Sequence, residues 1–517
     1  MEKVPLEKIL VLDFGAQYAH LICRRIRELG VFSELVPFDI TPEEILKKNA
    51  RGLVLSGGPL SVFQKEAPLP NPKIYEMRLP ILGICYGLQA IVFQLGGNVL
   101  RADKREYGRA PVHLNESSDL FSGLGQNPTN CWMSHGDAAR KLPDDFASIG
   151  SSENSPFAAI SNGRRIYAVQ FHPEVSHTER GMEILSNFVF KICGCQRNWS
   201  SNSMIQDMVA EINSKVGKNE KVLCALSGGI DSSTTAAILE KAVGERLHCV
   251  FVDHGLLRKG ERDRIEKAFR PKLGNRLIVV DESSKFLRKL KGVKDPEKKR
   301  KIVGREFIKT FVRIGKSLGK VQWLAQGTLY TDIIESAAGT SKHASRIKSH
   351  HNVGGLPKRL GFKLIEPLKG LYKDEVRKVA ASLGLPFELV NTQPFPGPGL
   401  CVRIIGSITP EKLRICRDSS AIVEEEVQRE GLSNKIWQAF AFVGDDMVTG
   451  VLGDERSVGH IVNIRIVESK DGMTADWSRV PNSLLERIST RITNEVPNVT
   501  WITYAVSSKP PSTIEPQ

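Results

Sequence analysis

The sequence lacks the cysteine spacings that would indicate a disulfide framework or a zinc site. Its nine cysteines are scattered along the chain, and no two of them form a C-x-x-C pair. Secreted disulfide scaffolds and tetrahedral zinc sites are therefore not expected. The closest pair, Cys193 and Cys195, is interpreted as two ordinary thiols at the end of a domain.

Long apolar runs are also missing. None reaches the length that a membrane-spanning helix needs, and residues 1–8 carry charges where a signal peptide would be apolar. We therefore expect no membrane association and a cytoplasmic location. At 517 residues the chain is too long for one hydrophobic core, so its length predicts two to four domains.

Acidic residues are scarce in one segment, between Arg258 and Lys320. This segment has 22 Lys and Arg against 8 Asp and Glu, a difference equal to the net charge of +14 of the whole chain. A solvated face is the ordinary explanation for such a stretch. A phosphate-rich small ligand or RNA would also explain it, and composition does not separate the three.

The first segment, residues 1–197, alternates short apolar runs with helical patterns. Residues 9–12, 53–55 and 80–84 are apolar runs that end in turns, and a helical pattern follows the first and the third. Runs that are apolar on both faces are typical of a parallel sheet covered by helices on each side. A doubly wound α/β domain is therefore predicted.

A cysteine stands at the end of the third run, in the pattern G-x-C-x-G. Gly83 and Gly87 permit a sharp turn from strand to helix, and the positive end of the helix dipole favours a thiolate there. Cys85 is therefore a candidate nucleophile. His172 and Glu174 follow another predicted strand, and they supply a base with a group to orient it.

The motifs G-I-C-Y-G-L-Q, S-G-G-P and Q-F-H-P-E resemble the class I glutamine amidotransferases over the whole first segment. The resemblance implies that Cys85 is the nucleophile, His172 the base and Glu174 its orienting group. It also implies an oxyanion hole built by the backbone of Gly57 and Tyr86. The residues expected to hold glutamine are Gln89, Ser134 and His135.

A second α/β segment, residues 198–392, contains another strand-to-helix turn. The run 221–226 ends in Ser-Gly-Gly-Ile-Asp-Ser-Ser, which lacks the lysine and the spacing of a P-loop. Glycines, hydroxyls and free N–H groups at the positive end of a helix dipole suit an anion. A carboxylate among them suggests a bridging Mg²⁺, with a Gly-Ser turn capped by Asp as the alternative. The residues of this turn are Ser227, Gly228, Gly229, Ile230, Asp231, Ser232 and Ser233.

Residues 394–399 are rich in proline and glycine, and they end the α/β pattern. A helical stretch near 410–430 follows, and the runs 458–467 and 499–506 alternate apolar and polar residues as strands do. These patterns predict a small α+β domain over residues 393–517. Its antiparallel sheet would leave open edges that a two-fold partner could cover, so a homodimer is expected.

The turn at residues 227–233 resembles the pyrophosphate-binding motif of the N-type ATP pyrophosphatases, which have an adenine-nucleotide α-hydrolase-like fold. These enzymes cleave ATP between the α and β phosphates and adenylate a carbonyl oxygen. Within that class the chain resembles the GMP synthetases in domain order and over nearly its full length. The matching stretches are residues 252–258, 299–304, 326–330, 347–356, 373–377, 394–399 and 508–511.

This second resemblance implies a reaction and a set of binding residues. The C2 oxygen of XMP would attack the α-phosphate of ATP, and ammonia from glutamine would then displace AMP to give GMP. XMP, ATP and glutamine are the implied substrates, with Mg²⁺ and no tightly bound organic cofactor. Lys373 would assist the departure of pyrophosphate. XMP would be bound by Arg300, Gln438, Asp454, Arg456, Lys509 and Glu515, with residues 298–301 where the family has a mobile lid.

Four positions depart from the family pattern, and they leave both expected catalytic sets intact. Thr331 replaces a usual proline, His254 a common asparagine and Gln393 a frequent histidine. The chain also ends in Glu-Pro-Gln instead of Trp-Glu. Glu515 is retained, although the altered end could loosen the tail around XMP.

The basic segment and the pyrophosphatase turn would also suit an adenylating tRNA-modifying enzyme. Such an enzyme would not need a fused glutaminase, and those that thiolate tRNA usually carry C-x-x-C, which this chain lacks. An RNA-binding protein that has lost activity is a second alternative, but Cys85, His172, Glu174 and Asp231 are all intact. Nucleic acid is therefore not expected as a partner.

Overall fold

The structure is a computed structural model of the chain. It describes residues 7–16, 18–125, 128–319, 321–330, 332–333, 362–452, 454–469, 472 and 474–517, apart from the side chains of residues 103 and 452. Thr331 and the stretch 347–356, named above, lie outside the described residues. The chain divides into two units, Met1–Ser203 and Met204–Gln517, called here the first and the second unit.

The first unit is built on a sheet whose centre is parallel. Its strands are β1 (Lys8–Asp13), β2 (Phe32–Pro37), β3 (Ala50–Leu55), β4 (Ile81–Ile84), β5 (Asn98–Leu114), β6 (Thr129–Lys141), β7 (Ala147–Ser151), β8 (Ala159–Ser161) and β9 (Ile166–Val169). Its main helices are α1 (Ala19–Glu28), α2 (Pro42–Lys47), α3 (Tyr86–Gln94) and α4 (Gly181–Ser186), the last continued by a π-helical turn (Asn187–Ile192). The strands lie in the order β2-β1-β3-β4-β9-β8-β7-β5-β6.

The parallel part of this sheet confirms the predicted doubly wound α/β arrangement. Strands β2, β1, β3, β4 and β9 pair in parallel, and most of their residues are buried. Two separate hydrophobic clusters cover the two faces, with Val11 in one and Leu12 in the other. Successive side chains of a strand point to opposite faces, so a run that is apolar throughout fills both clusters.

The antiparallel part of the same sheet was not predicted from the sequence. Strands β5 and β6 form a long hairpin, and β7 and β8 connect it to β9. In β6 buried residues alternate with more exposed ones over most of its length. This alternation is typical of an antiparallel strand with one covered face, whereas the central strands show continuous apolar runs.

The second unit begins with a parallel sheet. Its strands are β10 (Lys221–Leu226), β11 (Leu247–Asp253), β12 (Leu277–Asp281), β13 (Val321–Ala325) and β14 (Lys363–Ile365), in the order β12-β11-β10-β13-β14. All of these pairs are parallel, as the α/β pattern predicted. The helices are α5 (Ser201–Lys215), whose first turn precedes the division, α6 (Ile230–Val243), α7 (Glu261–Leu273), α8 (Ser283–Leu290), α9 (Pro296–Ser317), α10 (Lys373–Ser382) and α11 (Phe387–Val390).

The C-terminal part confirms the predicted α+β composition, but its sheet is mixed. It contains α12 (Pro410–Arg429), β15 (Gln438–Leu452), β16 (Glu455–Glu468), β17 (Asp476–Trp477), α13 (Asn482–Glu495) and β18 (Val499–Tyr504). Strand β16 pairs antiparallel with β15 and β17 but parallel with β18. The prediction of a purely antiparallel sheet was therefore wrong for β18. The connection from β16 to β18 contains β17 and α13, and parallel strands need a long crossover connection of this kind.

One hydrophobic cluster runs through both sheets of the second unit. It includes Leu223 and Val250 of the parallel sheet, Ile415 of α12, Ile464 of β16 and Ile488 of α13. The proposed boundary at residue 393 therefore divides a shared core, and the three-domain division stays a prediction. Among the described helices, none is both long enough and apolar enough to cross a membrane.

Candidate active sites

Three parallel strands of the first unit end side by side, and each is followed by a candidate residue. Gly57 follows β3, Cys85 follows β4, and His172 follows β9. Strand β4 lies between β3 and β9, so the three turns meet at one edge of the sheet. A side chain placed on Gly57 would have its Cβ 3.3 Å from His172 Cε1 and 3.9 Å from Cys85 Cβ.

The turn that carries Cys85 has the geometry of a nucleophile elbow. Cys85 has a φ of +53°, in the left-handed region that L side chains rarely adopt. Its backbone N–H donates to the carbonyl of Val169 at 2.8 Å. A Cβ on Gly83 would lie 2.8 Å from the Gly87 backbone, and one on Gly87 would lie 2.3 Å from the carbonyl oxygen of Leu55. Both positions therefore require glycine.

His172 and Glu174 form a buried pair beside Cys85. The distance from His172 Nδ1 to Glu174 Oε1 is 2.7 Å, and both side chains are almost fully buried. Burial opposes a charge on the imidazole, but the charge of Glu174 and the hydrogen bond with Cys85 outweigh it and raise the pKa of His172 to about 11. Thr178 fixes the backbone of the pair, since its Oγ1 donates to the carbonyl of His172 at 2.6 Å.

The residues expected to bind glutamine lie around the same edge. Gln89 Nε2 donates to the carbonyl of Asp137 at 2.9 Å, and the carbonyl of Ser134 is 3.6 Å from Cys85 Sγ. The ring nitrogens of His135 lie 3.0 Å from the carbonyl of Asp137 and 3.0 Å from Glu106 Oε2. Both ring nitrogens of His135 therefore already have partners within the protein. Burial lowers the pKa of His135.

Two polar residues of this site, Gln170 and Glu106, were not among the candidate residues. Gln170 Nε2 is 3.7 Å from Cys85 Sγ, and Glu106 accepts hydrogen bonds from Ser152 Oγ at 2.9 Å and from His135. Gln170 is the first residue of the Q-F-H-P-E motif and follows the end of β9, so the motif could have indicated its place beside the thiol. Glu106 is brought to His135 by the register of β5 against β6, which no local pattern shows.

The turn of residues 227–233 lies at the switch point of the second parallel sheet. It follows β10, which lies between β11 and β13, where the order of strands reverses and ligands of α/β sheets commonly bind. The Ser227 N–H donates to Ser232 Oγ at 3.1 Å, and Ser232 Oγ donates to the carbonyl of Gly229 at 3.1 Å. Gly228 has a φ of +85°, and a Cβ there would lie 2.9 Å from Glu261 Oε1.

Asp231 and Lys373 meet beside this turn. Asp231 is in the first turn of α6, Lys373 is the first residue of α10, and Lys373 Nζ lies 2.5 Å from Asp231 Oδ2. The other carboxylate oxygen, Oδ1, is buried and has no hydrogen-bond partner among the described residues; the same holds for the hydroxyl of Ser233. A buried carboxylate oxygen and a buried hydroxyl without partners are available for a ligand.

Two of the residues expected to bind XMP meet in the C-terminal part. Gln438 Nε2 donates to Glu515 Oε1 at 2.9 Å. Arg403, to which no sequence motif pointed, makes a bidentate pair with Glu515 through Nε at 2.9 Å and Nη2 at 2.8 Å. The Arg403 guanidinium is fully buried and lies 3.9 Å from the centre of the Phe440 ring. Glu515 is therefore held in place by a buried cation.

The other residues expected to bind XMP make separate contacts. Lys509 Nζ donates to the carbonyl of Gly472 at 2.7 Å, and Arg456 Nη2 donates to Thr449 Oγ1 at 3.4 Å. Asp454 and Arg456 are exposed where β15 turns into β16. Arg300 Nη1 lies 3.8 Å from Glu297 Oε2; residues 298–301, expected in a lid, belong to the first turns of helix α9.

Comparison with known proteins identifies both ends of the chain. Residues 10–192 match the family model for glutamine amidotransferase class-I, and residues 425–516 match that for the GMP synthase C terminal domain. A protein of Caldanaerobacter subterraneus subsp. tengcongensis named GMP synthase (glutamine-hydrolyzing) is 52% identical over 510 residues, which cover 98% of this chain and 99% of that protein. A protein of the same name from Aquifex aeolicus is 51% identical over 508 residues, with the same coverage. The chain therefore belongs to the glutamine-hydrolysing GMP synthase family.

Proposed function

We propose that this chain makes GMP from XMP, ATP and glutamine, as a ligase that forms a carbon–nitrogen bond. One observation carries the proposal: a single chain of this family holds the charged His172–Glu174 pair beside Cys85 and the Asp231–Lys373 pair beside an anion-binding turn. The first arrangement suits release of ammonia from an amide. The second suits cleavage of ATP, and the two reactions together supply the nitrogen and the activated carbon.

In the first unit Cys85 attacks the side-chain amide of glutamine. His172, protonated beside Glu174, gives a proton to the departing ammonia and afterwards activates the water that hydrolyses the thioester. The backbone N–H groups of Gly57 and Tyr86 stabilise the oxyanion of each tetrahedral intermediate. The space around the glutamine substrate is bounded by Gln89, Ser134 and His135.

In the second unit the turn from Ser227 to Ser233 binds the phosphates of ATP. Its N–H groups and hydroxyls lie at the N-terminus of α6, where the helix dipole favours an anion. The C2 oxygen of XMP attacks the α-phosphate, and Lys373 stabilises the charge that builds on the leaving pyrophosphate. Ammonia then displaces AMP from the adenylated intermediate to give GMP.

Mg²⁺ fits this second site on the chemistry of its donors. Asp231 Oδ1 and Ser233 Oγ are hard oxygen ligands that have no hydrogen-bond partner among the described residues. Within the same residues no three His, Cys, Asp or Glu side chains form a metal site, so the remaining ligands would be phosphate oxygens and water. When bound, Mg²⁺ would neutralise charge on the phosphates of ATP.

XMP is bound in the C-terminal part of the second unit. Gln438 and Glu515, which are joined by a hydrogen bond, present an amide and a carboxylate to the purine. Arg403 orients Glu515 through two hydrogen bonds. The further residues that we assign to XMP are Arg300, Asp454, Arg456 and Lys509.

The test supplies XMP, ATP and Mg²⁺ with either glutamine or ammonia, and it measures GMP, AMP and pyrophosphate. We expect one AMP and one pyrophosphate for each GMP with either nitrogen donor. Cys85→Ala should abolish synthesis from glutamine and leave synthesis from ammonia near the wild-type rate, because free ammonia needs no thioester. Loss of both activities in a folded variant would contradict the role of Cys85.

We also propose a homodimer formed through the C-terminal sheet, in a protein of the cytoplasm. Apolar side chains are unusually exposed on this sheet: Met447 is 49%, Val451 74%, Val458 56% and Trp501 54% exposed. Met447, Val451 and Val458 share one face of the β15–β16 hairpin, since Val458 lies opposite Thr449, and contiguous exposed apolar surface is typical of an interface. An isologous contact covers the patch on both copies at once.

A further inference from the structure

Lys299 is the one residue of the basic run 298–301 that points into the protein. Helix α9 begins after Asp295, whose side chain accepts the N–H of Lys298 at 2.7 Å, with Pro296 in the first turn. Lys298 and Lys301 are exposed and Arg300 is partly exposed, whereas Lys299 has no exposed surface. Within the basic run, Lys299 therefore differs from its neighbours: its ammonium can contact only other groups of the protein, whereas theirs can also contact solvent or a ligand.

The Lys299 ammonium makes three hydrogen bonds, which is its full donor capacity. Nζ donates to the carbonyls of Ile404 at 2.6 Å and Cys401 at 3.3 Å, and to Gln517 Oε1 at 2.6 Å. Gln517 is the last residue of the chain. Lys299 thus joins helix α9 to the end of the C-terminal tail, defined here as residues 505–517.

Two other buried cations hold the same tail further back. Arg465 donates to the carbonyl of Ser507 at 2.6 Å and to that of Thr513 at 3.2 Å, and Arg403 binds Glu515. The contact of Lys299 differs from these because it comes from a helix of the α/β part, and because the next residue of that helix is Arg300.

We propose that Lys299 is a positioning residue for XMP: its ammonium fastens Gln517 to helix α9 and so holds Glu515 and Arg300 in one fixed arrangement. The inference rests on the proposed roles of Glu515 and Arg300 in binding XMP. Glu515 is only two residues from Gln517, so loss of the anchor frees the segment that carries it. Arg300 is adjacent to Lys299, so the same contact fixes the start of α9.

The surroundings of Lys299 make this contact dependent on pH. Burial lowers the pKa of Lys299 to about 8, and the three acceptors of its hydrogen bonds, two backbone carbonyls and a side-chain amide oxygen, are uncharged. The titratable groups that face it are Asp295 of its own helix, Cys401, Lys412 and Asp445. The last two form an ion pair with each other. Above pH 8 the neutral amine keeps two of its three N–H donors, and the contact weakens.

The first test replaces the ammonium. Lys299→Met should raise the KM for XMP about tenfold or more, because it removes a charged hydrogen-bond donor from three buried acceptors. The kcat for GMP at saturating XMP and the rate of glutamine hydrolysis should stay near wild type. Lys316→Met, which removes an exposed lysine near the other end of α9, should leave the KM for XMP unchanged.

The second test changes only the last residue. Gln517→Ala removes the acceptor and should raise the KM for XMP, while Gln517→Glu gives Lys299 a carboxylate partner. In the wild type we expect the KM for XMP to rise between pH 7 and 9. This rise should move to higher pH in Gln517→Glu and should be absent in Lys299→Arg, whose charge does not titrate in this range.

Glu515→Gln distinguishes this inference from the proposed function. If Glu515→Gln raises the KM for XMP while Lys299→Met and Gln517→Ala leave it unchanged, the positioning role is wrong and the XMP site stands. If all three leave it unchanged, the assignment of the XMP site fails as well. If Lys299→Met does not fold, the Gln517 variants decide, since they alter one side chain at the end of the chain.

Discussion

At the scale of single residues, Glu174 sets the protonation state of His172. Burial alone would lower the pKa of the imidazole, but the carboxylate at 2.7 Å and the hydrogen bond with Cys85 raise it to about 11. In the unfolded chain the same imidazole titrates near 6.5. The charged pair therefore contributes stability that is complete below about pH 6.5 and is lost as the pH rises through about 11.

Glu174→Gln removes the charge of this pair and keeps its shape. We expect the pKa of His172 to fall, because burial then dominates, and glutamine hydrolysis at pH 7 to decrease about a hundredfold. Synthesis of GMP from ammonia is the control and should be unchanged. The fall in melting temperature between pH 7 and 10 should also become smaller than in the wild type. Wild-type glutamine hydrolysis in the variant would show that Glu174 does not orient His172.

Asp231 is the corresponding residue of the second site. Asp231→Asn keeps the size of the side chain and removes the charge that faces Lys373 at 2.5 Å. We expect adenylation of XMP, measured as pyrophosphate release without a nitrogen donor, to decrease about a hundredfold or more. Glutamine hydrolysis should be unaffected. Should pyrophosphate release remain at the wild-type rate, the turn of residues 227–233 would be structural only.

At the scale of secondary structure, each site is a tight turn between a strand and a helix. Strand β4 passes into α3 at Cys85, and β10 passes into α6 through residues 227–233. Both turns bring the first N–H groups of a helix to the carboxyl edge of a parallel sheet. At Cys85 the close approach of strand and helix is possible because positions 83 and 87 are glycine, where an added Cβ would meet backbone atoms.

Gly87→Ala tests this close packing. The added Cβ would lie 2.3 Å from the carbonyl oxygen of Leu55, and a backbone atom of β3 has little freedom to move away. We expect the variant to lower the free energy of unfolding of the first unit by about 3 kcal/mol. Gly136→Ala is the matched control, since its nearest neighbour would be Tyr107 Oη at an ordinary 3.7 Å. Chemical denaturation of both variants decides, and equal stability would refute the packing argument.

At the scale of the whole molecule, the basic residues of the segment from Arg258 to Lys320 lie both on the surface and inside the fold. The basic segment from Arg258 to Lys320 is partly internal: Arg258 is buried against Glu261 at 3.0 Å, and Lys299 is buried against carbonyl groups. Arg276 pairs with Glu240 at 2.6 Å. Some of the basic residues of this segment are thus used in contacts within the fold.

The exposed apolar side chains of the C-terminal sheet predict the oligomeric state. We expect light scattering to give about twice the chain mass of 57.3 kDa. The double variant Val451→Lys with Val458→Lys should give the mass of one chain, because four lysines would be buried at a two-fold interface. Leu46→Lys, at a side chain 69% exposed on α2, should remain dimeric. A monomeric wild type would refute the dimer.

The sequence by itself predicted the chemistry that we propose for both sites. Cys85, His172 and residues 227–233 could be predicted as site residues because each stands in a turn at the end of an apolar strand, and the shape of such a turn depends on its own few residues. The parallel sheets could also be predicted from local patterns. A strand that is apolar on both faces must be covered on both sides, which is typical of a parallel sheet between helices. Residue patterns were therefore enough to predict those features whose structure depends only on residues close together in the chain.

Only the tertiary structure decided which distant residues meet. Arg403 reaches Glu515, Glu106 reaches His135, and Lys299 reaches Gln517 through packing between elements far apart in the chain. The parallel pairing of β18 with β16 likewise depends on how α13 packs, and not on the alternation within the strand. Local patterns carry no record of these contacts, because a buried charge finds its partner only when the elements around it have assembled.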